Sequence, residues 1–236
     1  MANLKEIRGR IATVKNTRKI TSAMSRIAAA RLVKAQQAAM AARPYGERLE
    51  EVVRALVGGA AEAEGEAVHP LLAHRSGHGR VGVVLMTADR GLAGGFNANV
   101  NRAGLQFIRR ERAEGREAVV IVVGKKGRSF LGAVHQKIER FHEAPTLVNL
   151  VQRAKEVAVE VMAMFEPAAE GQVGLPQVDA VYLVYNYFRS VLTQEPRTVQ
   201  LLPVRAPEPA GDGSVPVPPL FEPDRGSLLG HLLPIA

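Results

Sequence analysis

The chain contains no cysteine and no tryptophan, and aromatic residues make up only 5% of it. Without thiols there is no disulfide framework, no thiolate nucleophile and no cysteine-based zinc site. The longest uncharged apolar runs, 81-VGVVLMTA-88 and 118-AVVIVVG-124, fall well short of the roughly 20 residues that span a bilayer. The N-terminus is basic but has no apolar run followed by a small-residue cleavage site, so a cytoplasmic chain without a secretory signal is expected. Catalytic constellations are missing too. His74 and His78 lie four apart without the glutamate of H-E-x-x-H, and 127-GRSFL-131 lacks the second glycine of G-x-S-x-G. Glu50/Glu51 and Glu62/Glu64 occur in surface-like settings, so neither pair is a candidate acid/base pair. No catalytic residue, metal or cofactor is expected.

What is present is an ordinary globular composition, 47% hydrophobic and 23% charged, enough for one large or two modest domains. The net charge of +8 is localised: residues 1 to 34 carry nine basic residues against the single acid Glu6, so the remainder is neutral. Charge of one sign confined to one segment points to an acidic partner for that segment.

That segment reads as a long helix. Leu4, Ile7, Ile11 and Val14 alternate spacings of three and four, the seam of a coiled coil. Ile20, Met24, Ile27 and Ala28 read as a continuation of the apolar stripe, alanine then dominates to residue 42, and Pro44 is expected to bend the rod. Leu49, Val52, Val53 and Leu56 resume the period until Gly58-Gly59. A rod from about residue 3 to 57 would measure about 80 Å. It needs partner helices to cover its stripe.

Residues 59–80 read as a linker, and 81–205 as an α/β domain. Strands are expected at 81–87, 118–123 and 178–188, with helices near 97–113 and 146–166 between them, the alternation of a largely parallel sheet. A run at 191–204 is expected to add an antiparallel strand, with Pro196 marking an edge or a break. Residues 206–225 form a Pro/Gly-rich loop, and 226–236 begin a helical pattern that stops at Ala236.

The glycine-rich segment 86-MTADRGLAGGFNANV-100 sits between a strand and a helix, where phosphate is often held. Its G-x-x-G-G spacing matches neither G-x-G-x-x-G nor a P-loop. The better reading is a tight turn with Asn97 or a neighbour capping the next helix. The turn 124-GKKGRS-129 has the G-x-x-G of KH domains in the wrong context, after a strand. As for the basic helix, it lacks the aromatic or leucine face of a membrane helix and the dimer zipper of a DNA-binding one, which favours an acidic protein.

In order and spacing, 4-LKEIRGRIATVKNTRKITSAMSRIAAARL-32, 43-RPY-45, 87-TADRGLAGGFN-97, 122-VVGKKG-127, 200-QLLPV-204 and 221-FEPD-224 resemble the gamma subunit of F-type ATP synthases from end to end of the chain. The resemblance implies a shaft, residues 1–58, pairing with a C-terminal helix, above a Rossmann-like foot. It implies a non-catalytic rotor at the cytoplasmic face of a bacterial inner membrane that couples proton flow to ATP synthesis. By resemblance, the acidic loop of the beta subunits meets Arg18, Lys19, Ile20, Thr21 and Met24, while the foot contacts the epsilon subunit and the membrane rotor ring, with 205–215 as the candidate ring contact. The alpha subunits complete the head; nucleic acid is not a partner. Asp89, Arg90, Gly91, Gly94, Gly95 and Asn97 form the family turn motif. Ala93 stands where relatives often carry cysteine, and family members continue past F-E-P-D into a long helix that the sequence given does not include.

Two rival readings belong to other classes. An α/β phosphate-binding enzyme would use residues 89–97 and lose its ligand when Gly94 is replaced. A nucleic-acid-binding basic helix would show strongly salt-dependent binding.

Overall fold

The computed structural model describes residues 3–60, 69–73, 75, 77, 79–166, 174–204, 228, 230 and 232. His74, His78, Glu62, Glu64, the 206–225 loop with its F-E-P-D segment, and most of 226–236 lie outside the described residues.

The chain divides into two units, residues 1–50 and 51–236. Helix α1, Leu4–Ala60, begins in the first. Asn3 starts it by accepting the amide of Lys5 through its side chain (3.2 Å), the N-cap arrangement that satisfies an orphan donor. Glu6 lies in the first turn and pairs with Arg10 four residues on (2.8 Å). Thr13, Thr17 and Thr21 would be weak helix formers. Their hydroxyls donate to the carbonyls four residues back, of Gly9, Thr13 and Thr17, so no polar group is wasted. The helix runs through Pro44 and past Gly58-Gly59 to Ala60, three residues beyond the expected end.

The second unit is an α/β domain built on a five-stranded sheet. In chain order its elements are β1 (Arg80–Met86), α2 (Phe96–Ala113), β2 (Glu117–Val123), α3 (Lys125–Ala133), β3 (Arg140–His142), α4 (Leu150–Phe165), β4 (Ala180–Phe188) and β5 (Gln194–Leu202). The spatial order is β3-β2-β1-β4-β5; the first four strands are parallel, and β5 is antiparallel on the edge beside β4. Pro196 pairs opposite Asn186 on that edge strand, where its missing amide costs no ladder bond to a further neighbour.

Both β1 and β2 are buried on two faces, which is why they read as unbroken apolar runs. On one face Val81, Val83, Leu85, Val120, Val122 and Val184 meet Val100, Phe107 and Ile108 of α2 and Leu131 of α3. Tyr182 stacks obliquely on Phe107 with ring centroids 4.8 Å apart. The opposite face of β1 lies against α4, whose Met164 methyl comes near Gly82. A carboxylate is buried at the end of α2. Glu111 is 2% exposed and is held by Arg116 (2.6 Å) and Arg110 (3.2 Å), which compensates the charge taken out of water.

Two elements were not expected. Helix α3 occupies the segment read as the turn 124-GKKGRS-129, and β3 is a three-residue edge strand.

Candidate functional site

Two regions carry the residues that the sequence singles out. The first is α1. Arg18, Lys19, Ile20, Thr21 and Met24 are all exposed, as are Leu4, Ile7, Ile11 and Val14, each of the four at least 43% accessible. At about 100° per residue, Ile20 lies about 120° around the helix from Val14, so Ile20, Met24 and Ile27 form a second apolar face and do not continue the first. Arg18 falls on the line of the Leu4–Val14 seam. Lys19 falls instead on a third face with Arg8, Lys15 and Arg26, all four within about 40° of one another. Sequence reading counted these cations but missed their alignment, although spacings of seven, four and seven carry it. The helix thus presents apolar and cationic stripes together, all in water.

The second region is the carboxyl edge of the parallel strands. After β1 the chain enters the turn Asp89–Gly95, where Leu92 (φ 57°) and Gly94 (φ 54°) are left-handed. Glycine adopts this freely at position 94; Leu92 does so at a cost in strain and is 96% exposed. Asn97 does not cap α2. It is the second residue of that helix, and it reaches back to accept the amide of Ala88 (2.9 Å) and to donate to the carbonyl of Arg90 (3.2 Å). Gly95 stands at the cap with no side chain to offer. From β4, Asn186 donates to the carbonyl of Phe96 (2.9 Å).

Asp89 is directed the other way. Its Oδ1 accepts the amide of Lys125, the first residue of α3 (2.8 Å), and the amide of Ala144 beyond β3 (3.1 Å). The next amides of α3 are also taken: Lys126 donates to the carbonyl of Ala88 (3.1 Å) and Gly127 to Thr87 Oγ1 (2.9 Å). Thr87 is buried, and its hydroxyl donates to the carbonyl of Val123 (3.0 Å). A helix N-terminus in an α/β fold attracts an anion because its amides lack partners and its dipole is positive. Here the protein's own carboxylate fills that position. Asp89, at the start of the turn, therefore serves packing between the end of β1 and α3, whereas the N-terminus of α2, to which the turn leads, has no side-chain cap.

Around it, the Lys125 ammonium pairs with Glu143 (2.7 Å), which raises its pKa, assisted at longer range by Asp89. His142 bridges Glu160 (2.8 Å) and Arg153 (3.0 Å), tying β3 to α4. Since a guanidinium only donates, Nδ1 is the acceptor and the ring is the Nε2–H tautomer. Among the described residues there is no group of three metal-ligating side chains, and no helix is long and apolar enough to cross a membrane.

Comparison with known proteins gives this arrangement its class. The central stalk of the Tetrahymena thermophila mitochondrial ATP synthase has a similar fold, with a TM-score of 0.53 over 92% of this chain and 86% of that one, at 19% identity. The fold is that of a central-stalk subunit of a rotary ATP synthase. The ATP synthase family model (ATP-synt) matches residues 3–236. The ATP synthase gamma chains of Geobacter sp. (strain M21) and Geobacter metallireducens are 39% and 41% identical over 234 residues, 99% of this chain and 76% of each relative. The chain belongs to the ATP synthase gamma chain family.

Proposed function

We propose that the chain is the non-catalytic rotor of an F-type proton-transporting ATP synthase at the cytoplasmic face of a bacterial inner membrane. Residues 1–58 act as the shaft, in contact with the alpha and beta subunits of the catalytic head. The α/β domain that follows acts as a foot in contact with the epsilon subunit and the membrane rotor ring. One observation carries this reading: over residues 4–27, α1 exposes two apolar faces and a cationic one, while the chain beyond residue 34 is electrically neutral.

A shaft works by stabilising different conformations of the head at different angles, and needs differential contact energy at each angle. A helix with Arg8, Lys15, Lys19 and Arg26 aligned on one face and Ile20, Met24 and Ile27 on another is uneven in this sense. Arg18, Lys19, Ile20, Thr21 and Met24 would supply angle-dependent attraction to acidic loops of the beta subunits alongside shallow apolar contact. The Leu4–Val14 seam would be covered by a further helix.

Double reversal, Arg18→Glu with Lys19→Glu, is the test. Like charges brought together at an interface cost several kcal/mol. Co-purification with alpha and beta subunits is expected to fall by about tenfold or more, with a smaller loss for the double alanine variant. Retention of both at the wild-type level would remove the acidic-loop contact from the account.

A further inference from the structure

The turn after β1 is held more firmly than its exposure warrants. Its two ends are tied in opposite directions, by Asn97 into α2 and by Asp89 across β2 to α3 and the β3–α4 loop. Asp89 joins segments 36 and 55 residues away through one oxygen atom. Between these ties stands Leu92, an apolar side chain almost wholly in water on a strained backbone. Neither feature helps the domain to fold; strain and exposure of this kind persist where the surroundings over-determine a segment for a purpose.

We propose, resting on the rotor reading above, that Asp89 is a positioning residue for torque transfer. Its carboxylate fixes the Arg90–Gly95 tip to the connections after β2 and β3, so that force reaching the tip is shared by three parallel strands and does not bend the turn. Hydrogen bonds from backbone amides to a carboxylate are among the strong ones. They also complete the α3 N-terminus, so the joint needs no external ligand.

The test places the chain in membrane vesicles within the complete complex and compares wild type with Asp89→Ala and Asp89→Asn, since the asparagine oxygen can still accept both amides. For Asp89→Ala, exchange of the Lys125 and Ala144 amides is expected to quicken about tenfold or more. Proton pumping per ATP hydrolysed is expected to fall at least about twofold while ATP hydrolysis itself continues. Asp89→Asn should keep both properties near wild type. Unchanged exchange at the two amides, unchanged pumping per ATP in Asp89→Ala, or an Asp89→Asn variant as impaired as Asp89→Ala would each overturn the proposal. Failure of the wild-type chain to support pumping would instead overturn the rotor reading, and amide exchange would still report on the joint.

Discussion

Replacing Gly124 with alanine is expected to lower the melting midpoint of the chain by roughly 5–20 °C, at about 2–4 °C per kcal/mol for a domain of this size. Gly124 has φ 103° and ψ 135°, a region open essentially to glycine alone, where any other residue costs about 1–3 kcal/mol. A Cβ there would also lie 2.4 Å from both the carbonyl oxygen and Oγ1 of Thr87. Neither atom can yield cheaply. The hydroxyl is committed to Val123 and Gly127, so pushing it aside undoes the joint between β2 and α3 and adds about 1–3 kcal/mol of overpacking. Gly132, inside α3 with nothing near its would-be Cβ, is the control. Alanine there should be neutral or slightly stabilising. A Gly124→Ala midpoint within about 2 °C of wild type, measured by circular dichroism, would show that the β2–α3 joint does not depend on this glycine.

The second large effect is expected at Phe165. Helix α4 buries only Val161, Met164 and Phe165, all in its last turns, while Leu150, Val151 and Val159 along its earlier part are exposed. The apolar burial of the helix is therefore confined to one end, and Phe165, fully buried with the guanidinium of Arg75 4.9 Å from its ring centroid, is the largest side chain there. Truncation to alanine should cost about 3–5 kcal/mol, whereas leucine, closer in volume, should cost less than about half of that. The urea midpoint reads both. Equal midpoints for Phe165→Ala and wild type would mean that α4 is held elsewhere, by the His142–Glu160–Arg153 contacts to β3.

These two sites also show what the sequence could and could not convey. The strands β1 and β2 were legible because burial on two faces leaves nearly continuous apolar runs, and β4, buried only at Val181 and Val184, was legible from its β-branched and aromatic residues. Pro196 pointed to an edge or a break, and β5 takes the edge without breaking. Helix α3 was not legible: KKGRSFLGA has only nine residues, two of them glycines, and its first amides find their partners in Asp89, Ala88 and Thr87, nearly 40 residues earlier. No local pattern encodes that. Strand β3 has only three residues and pairs on one side alone. Asn97 was misplaced for a related reason, since an asparagine near a helix start is as fit to serve the preceding strand as to cap the helix.

On α1 the error was one of phase. Two apolar runs six residues out of step looked like one stripe when counted along the chain, and only the helical rotation between Val14 and Ile20 separates them. The distinction matters to function. A single stripe would be satisfied by one partner helix, whereas separate apolar and cationic faces leave surface for a second kind of neighbour, which is what a shaft requires.

The rotor role is tested most directly by co-expressing the chain with alpha and beta subunits and purifying through a tag on this chain alone. The expected result is a complex that holds all three polypeptides and hydrolyses ATP, and from which this chain dissociates more readily as salt rises. An ATP-hydrolysing alpha/beta assembly that forms without this chain and never retains it would contradict the account.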